Sequence, residues 1–412
     1  MSANELKIKK SKPWEGANLR QYGMMIALIG IFVVFALATK GKLFYPDNFN
    51  NLVMQNSYVV ILACGMVLCV LTGNVDLSVG SVVAFVGSIS ATLMVNYKLP
   101  VWICLVTGLL IGILVGCFQG FFIAYIRIPA FIVTLADMLI FRGLTMVVLK
   151  GQTVGPLDIG YRQIAAGYLP TLFVQMSTLQ FDIFGTIYQV GGTTFDLVSI
   201  IIGLIASVAI IFLELRDRRT KRKYNFKIAP VFQSVLKVAI IIFIANIFTY
   251  KLSRSSGLPI VLLILVIIIA IYSFVTQNTV AGRHIYALGG NAKAAQLSGI
   301  KTQQVMFYVY LSMGLMCGVA GIVLSSRNGS ATPKAGDGFE LDAMASCYIG
   351  GASTTGGIGT VIGAVVGAMI MGVLNMGMSL LGWSVDWQKV VKGAVLLGAV
   401  SFDLISKRNS SK

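Results

Sequence analysis

Asp76 is the first residue whose position demands a chemical explanation. It sits in "TGNVDLSVGS" at residues 72–81, between two apolar stretches long enough to cross a bilayer. A carboxylate at bilayer depth is costly unless it faces protein or water and is hydrogen-bonded. Flanking glycines allow the helix to break there. Asn74, Ser78 and Ser81 suit the bonding of freed backbone groups or the capping of the next helix. The simpler alternative makes Asp76 an N-cap at a short turn outside the membrane. The two readings differ only in depth.

A second polar box, "ELDAMASCYIGGASTTGGIGTVIGA" at 340–364, has a related composition. Glu340 and Asp342 precede an apolar stretch that breaks at Gly350, Gly351, Gly356, Gly357 and Gly359. Paired glycine-interrupted segments in the two halves of a membrane chain point to a translocation path. That makes Asn74, Asp76, Ser78, Asp342, Gly350 and Gly351 candidates for a pathway or for a structural hub beside it.

The third patterned segment is the loop 276–302, "GRHIYALGGNAKAAQLSGI" in its centre. Asn291 is a plausible N-cap, the alanines that follow favour helix, and Gly299 is a C-terminal stop. The result is a helix of about two turns outside the membrane. Ala294, Leu297 and Ser298 share one face at i, i+3, i+4. Such a helix offers a small docking knob to a partner; capping the loop is the competing role.

The elements that must position these boxes follow from composition. Of 412 residues, 57% are hydrophobic and 11% charged, too little polar surface for a soluble domain. Apolar runs near the length of about 20 residues needed to span a bilayer recur along the chain. Candidate spans lie at about 22–38, 52–72, 76–96, 101–125, 130–148, 197–214, 235–249, 258–275, 303–324, 343–358, 361–381 and 388–405. They are expected to be helical, because lipid offers unpaired backbone groups no partner. The fold class is therefore an all-α integral membrane protein: one domain over 1–412, a polytopic bundle of ten to twelve spans with Gly-rich broken or re-entrant segments.

The net charge of +17 raises a nucleic-acid reading, but its distribution excludes it. The basic residues cluster beside spans: Lys7, Lys9, Lys10, Lys12 and Arg20; "RDRRTKRK" at 216–223; Arg283, Lys293 and Lys301; Lys407, Arg408 and Lys412. The positive-inside rule makes all four clusters cytoplasmic. With an even number of crossings both termini lie inside, including the 1–21 segment. Attraction to anionic membrane lipid accounts for the rest of the excess. The segment 150–196 then falls outside, with a short interfacial helix.

Asp137 and Arg142 share one span but lie about 140° apart on a helix, so each is expected to pair with another span, the alternative being that Arg142 reaches outward to the interface. Gly108, Gly112, Gly116 and Gly120 form one smooth helix face, as do Gly359, Gly363 and Gly367. Close helix packing explains both; pore lining is the alternative. The six cysteines lie in spans without a CxxC pair and read as small packing residues. The single His284 reads as a loop residue. No G-x-x-x-x-G-K-[ST], HExxH or GxSxG pattern occurs, so neither a Walker nucleotide site nor a familiar hydrolytic centre is expected in this chain.

Taken together and in order, "TGNVDLSVGS", "GRHIYALGGNAKAAQLSGI" and "CYIGGASTTGGIGTVIGA" resemble the permease subunits of bacterial ABC importers for ribose, xylose and related monosaccharides. The resemblance runs from about residue 45 to 405. It departs from the shorter ribose-type members at 197–257, an extra pair of spans with a basic loop, and is there similar to the longer xylose and multiple-monosaccharide permeases. It implies two permease subunits in the inner membrane and two cytoplasmic ATPase subunits carrying ATP and Mg. An extracytoplasmic sugar-binding protein delivers substrate, of the xylose, arabinose, galactose or glucose class. In that picture Gly290, Asn291, Ala294, Ala295, Leu297, Ser298 and Gly299 resemble the coupling helix that docks on the ATPase, with Leu297 as apolar anchor. Related permeases for branched amino acids or nucleosides are the nearest alternative. A self-contained channel or secondary transporter would work without an ATPase.

Overall fold

The computed structural model describes residues 19–175, 179–183, 186–190, 194–224 and 231–410. Lys7, Lys9, Lys10, Lys12 and Lys412 of the basic clusters lie outside the described residues. The chain is almost entirely helical. α1 (Leu19–Ala38) leads to α2 (Pro46–Leu71), α3 (Val79–Val95), α4 (Val101–Phe121) and α5 (Ala130–Leu149). The short α6 (Ile159–Ala166) precedes α7 (Leu197–Lys223), α8 (Val231–Ser253) and α9 (Ile260–Asn278). Two small helices, α10 (Val280–Gly290) and α11 (Ala292–Leu297), come before α12 (Thr302–Asn328). α13 (Phe339–Ile349), α14 (Val361–Leu380) and α15 (Val385–Ser410) complete the chain.

Local sequence explains the starts. Pro46 occupies the first turn of α2, where its missing N–H costs nothing. Asp158 caps α6, Asp196 caps α7, and Thr360 caps α14, each through a side-chain oxygen accepting from a first-turn amide. Asp196 also accepts from the amide of Leu172 at 2.8 Å, which pins the preceding segment to the start of α7.

Eight of the expected spans form helices long and apolar enough to cross a membrane. The shorter apolar helical stretches Leu28–Ala38 and Val79–Val95 match two more, and the expected span at 388–405 lies within α15. The expectation at 343–358 is wrong. There α13 is only 11 residues, about 16 Å long, and ends in the glycine-rich turn 350–360. The apolar run was long enough, but its glycines stop the helix. The segment 150–196 carries α6, as expected, and also two short antiparallel strand pairs, Phe173–Gln175 with Thr194–Asp196 and Leu179–Ile183 with Thr186–Val190.

α12 is the axis of the bundle, packing on α2, α3 and α4. The glycine ladder of α4 lies against it. A Cβ on Gly112 would come within 2.5 Å of Gly314 O, and one on Gly116 within 2.6 Å of Tyr310 O. The ladder is thus a packing face and not a pore lining. In the second ladder Gly363 and Gly367 press on the backbones of Gly350 and Ser346, whereas Gly359 lies in the turn before α14 and not on its face. Five of the cysteines, Cys64, Cys69, Cys104, Cys317 and Cys347, are buried in the core around these helices.

Candidate functional site

The three patterned segments, the first of them about 200 residues before the other two along the chain, meet at one end of the bundle. The last carbonyl of α2, Leu71 O, accepts a 2.9 Å hydrogen bond from Gly357 N. Gly289, near the end of α10, is seated on the same carbonyl: a Cβ there would stand 1.6 Å from Leu71 O. A Cβ on Gly356 would meet Gly289 O and Gly73 N, both at 2.9 Å. Tyr286 of α10 donates to Gly359 O at 2.7 Å. The turn after α2, the turn after α13 and the helix leading into α11 are therefore locked backbone to backbone. Only residues without a side chain permit approaches this close.

Where α3 begins, the first polar box meets the loop just ahead of the second and, at Glu340, the second box itself. A Cβ on Gly80 would lie 2.1 Å from Gly336 O, and one on Gly336 2.0 Å from Gly80 O. Gly336 also takes a left-handed φ of 73°. The interrupted segments of the two halves thus share one seam, from Gly73 and Thr355 at one end to Gly80 and Gly336 at the other.

Asp76 lies inside this seam and is 1% exposed. One carboxylate oxygen accepts from the amide of Ser78 at 2.8 Å and from its hydroxyl at 2.6 Å. Gln119 of α4 donates to Ser78 Oγ at 2.6 Å and acts on the carboxylate of Asp137 in α5. Asp76, Ser78, Gln119 and Asp137 form a buried polar cluster that joins the turn ahead of α3 to α4 and α5. Asp76 fixes the turn ahead of α3 from within the protein. Asn74 bonds only locally, to Thr72 O at 3.2 Å and Thr72 Oγ1 at 3.3 Å. Arg142 neither pairs with Asp137 nor reaches outward. Its guanidinium donates to Pro333 O at 3.2 Å and Ala335 O at 2.6 Å, holding the loop that presents Gly336.

Asp342 does not join Asp76. It is 2% exposed and pairs with Lys392 of α15 at 2.9 Å, tying α13 to the last helix. Gly350 is pressed against Gly363, and Gly351 takes φ 84° in the turn that follows α13.

The loop expected over 276–302 is itself mostly helix, and His284 belongs to α10. Within it Asn291 caps α11 by accepting from the amide of Ala294 at 2.9 Å, and Gly299 ends it at φ 85°. Ala295 is buried against the body of the protein, while Leu297, roughly 160° round a helix from it, is 83% exposed. Ala294 and Ser298 are exposed beside it, and Gly290 has open space around it. The outward surface of α11 is thus Ala294, Leu297 and Ser298, and Ala295 is its anchor to the chain.

Gly290, chosen as a small residue for close approach of a partner, faces open space, and the glycine packed within the chain is its neighbour Gly289; sequence reasoning missed Tyr286, Gln119 and the pairing role of Gly356 and Gly357. The glycine doublets at 289–290 and 356–357 were the available signal: a doublet in a helix or turn marks two backbones meeting.

No solved structure matches the chain. Two xylose transport system permease proteins, both named XylH, are similar over nearly its whole length. That of Haemophilus influenzae is 34% identical over 394 residues, 96% of this chain and 98% of the relative. That of Escherichia coli is 35% identical over 415 residues, 99% of each. The ribose import permease protein RbsC of H. influenzae is 31% identical over 388 residues, 94% of each. Residues 48–400 match a family described as the permease component of the branched-chain amino acid transport system. With this full-length similarity and its apolar helices, the chain belongs to that permease family and is a multi-pass membrane protein.

Proposed function

We propose that this chain is the membrane-spanning permease subunit of an ATP-driven importer that carries a monosaccharide, xylose first among the candidates, into the cytoplasm. The observation that carries the reading is end-to-end similarity to the xylose permeases, which includes the α7–α8 region. The chain has no nucleotide motif of its own, so ATP and Mg belong on separate ATPase subunits. α11 is their docking point, with Leu297 as the anchor. The locked seam gives that point a mechanical path. A push on α11 reaches Gly289, and through it the end of α2 and the 350–360 turn; the turn after α2 leads on past Asp76 to the contact of Gly80 with Gly336. Both termini and α11 face the cytoplasm, a sugar-binding protein delivers substrate to the α6 side, and two copies of the chain form the pathway in the inner membrane.

The test is uptake into vesicles holding this subunit, with and without candidate ATPase and sugar-binding partners. The panel contains pentoses, hexoses and leucine, since the matched family is described by branched amino acids. Uptake that needs ATP and both partners supports the reading and names the substrate. Uptake by this chain alone replaces it with a channel or secondary transporter. In the complex, Leu297→Asp should abolish stimulation of the ATPase while leaving membrane insertion intact; unchanged stimulation removes α11 from the coupling path.

A further inference from the structure

We infer that a basic groove beside α11 binds the phosphate headgroup of an anionic phospholipid. The groove, about 640 Å³ in volume, lies between the end of α4 and the start of α12. Its lining includes Arg127, Lys293 and Lys301 and no acidic residue. Among the described residues these three cations make no salt bridge. Buried charge partners are thus absent where positive charge is concentrated, and an external anion is the complement.

Two features of the backbone aim at the same spot. α12 begins at the groove with Thr302, Gln303 and Gln304; no side chain caps it and no acidic residue occupies its first turn. The free amides of a long helix add positive potential for an anion. On the opposite wall α4 runs into a π-turn, Phe122–Ile126, which ends with Arg127 in the left-handed region at φ 65°. That conformation disfavours a residue with a Cβ and is held by the turn that sets Arg127 at the groove.

What covers the groove is decided by its rim. Val106, Leu110, Leu114 and Phe118 form an exposed apolar stripe down α4 at a spacing of four residues. The stripe continues through exposed Phe121 and Tyr125, whose rings lie 6.1 Å apart, and Tyr125 is 5.7 Å from Phe307. Aromatic rings of this kind mark the headgroup level of a membrane. A track for an acyl chain therefore leads directly to three cations, which is the layout an anionic amphiphile requires and a free anion does not. Lys293 and Gln296 of α11 line the groove, so the bound headgroup touches the helix assigned to coupling. Its influence on transport rests on that assignment; binding itself does not.

The experiment is native mass spectrometry of the full chain from phosphatidylcholine nanodiscs doped with phosphatidylglycerol, counting the lipids retained. The wild type should retain phosphatidylglycerol over phosphatidylcholine. Arg127→Gln, Lys293→Gln and Lys301→Gln should each weaken retention by about fivefold, as expected for one cation at a membrane surface, and the triple variant should abolish the preference. Lys98→Gln with Lys150→Gln, which lie outside the groove and outside the basic clusters, should leave it unchanged. Equal retention of the two lipids, or a preference that survives the triple variant, overturns the inference. Displacement by inorganic phosphate also overturns it, in favour of a soluble anion. If the triple variant fails to fold, the single variants decide. Failed sugar uptake with intact lipid selectivity would overturn the transport reading and leave this one standing.

Discussion

α2 and α8 are both apolar enough to cross a membrane, yet they live in different surroundings. In α2, 89% of the apolar window is buried in protein; in α8 the figure is 6%. Hydropathy alone does not separate them, because a lipid tail and a protein core are equally apolar. Small and polar residues do. α2 and the turn after it carry Asn56, which packs on Gly372 and donates to Ala368 O, Gly65, which seats Met313 and Met316, and Gly73, which lies on Thr355 O. α8 is dominated by isoleucine and phenylalanine; it touches α7 through Thr249 on Gly203 and a 2.7 Å hydrogen bond from Asn246 to Ser207. One region is a fixed seam; the other is a hairpin that leaves most of its apolar surface outside the protein.

The largest effect should come from filling the seam. Gly289→Leu forces a side chain onto Leu71 O, and overpacking of this kind costs about 1–3 kcal/mol or more. The thermal midpoint of the purified protein should fall sharply, whereas Ile244→Ala on lipid-facing α8 should shift it by no more than about 0.5 kcal/mol. Similar losses at both sites would erase the distinction drawn between the regions.

Asp76→Ala comes next. It strips Ser78 of its acceptor inside the protein, a loss of about 1–3 kcal/mol for buried groups left unpaired. Asp158→Ala removes the cap of α6, worth about 1 kcal/mol, at an exposed site. Melting curves that rank the two variants the other way would show that the buried chain through Gln119 contributes little.

Within the hairpin, Asn246→Leu should cost only about 0.6 kcal/mol, the usual worth of a hydrogen bond between membrane helices. A loss several times larger, read as dissociation of α7 from α8 by cysteine crosslinking, would make the hairpin a fixed element after all.

The smallest effect concerns pH. Lys389 lies 2.8 Å from Asp337 and holds its carboxyl below the usual value. A depressed carboxylate contributes stability above its unfolded pKa, and that contribution is lost as pH falls through the folded value. The contact should therefore be indifferent to pH around neutrality and weaken only in strong acid. Both side chains are largely exposed, so salt should mask it. Asp337→Asn should flatten the acid limb of the melting profile slightly; an unchanged limb would assign the pair no role.

Much of the architecture was legible in the chain itself. Hydropathy marked the helices because a bilayer tolerates no other way of satisfying the backbone. The cap at Asn291 and the stop at Gly299 were readable because both are local rules of backbone geometry. The failure at 343–358 has an equally local cause, since its four glycines interrupt a run whose apolar length alone would suffice. Tertiary structure alone decided which glycines touch. Nothing within "LGGN" distinguishes Gly289, pressed on Leu71, from Gly290, which faces open space; the difference belongs to residues more than 200 positions away. It alone decided also that Asp76 reaches Gln119 while Asp342 reaches Lys392, because the partner of a buried charge is set by how helices pack and not by the residues beside it in the chain.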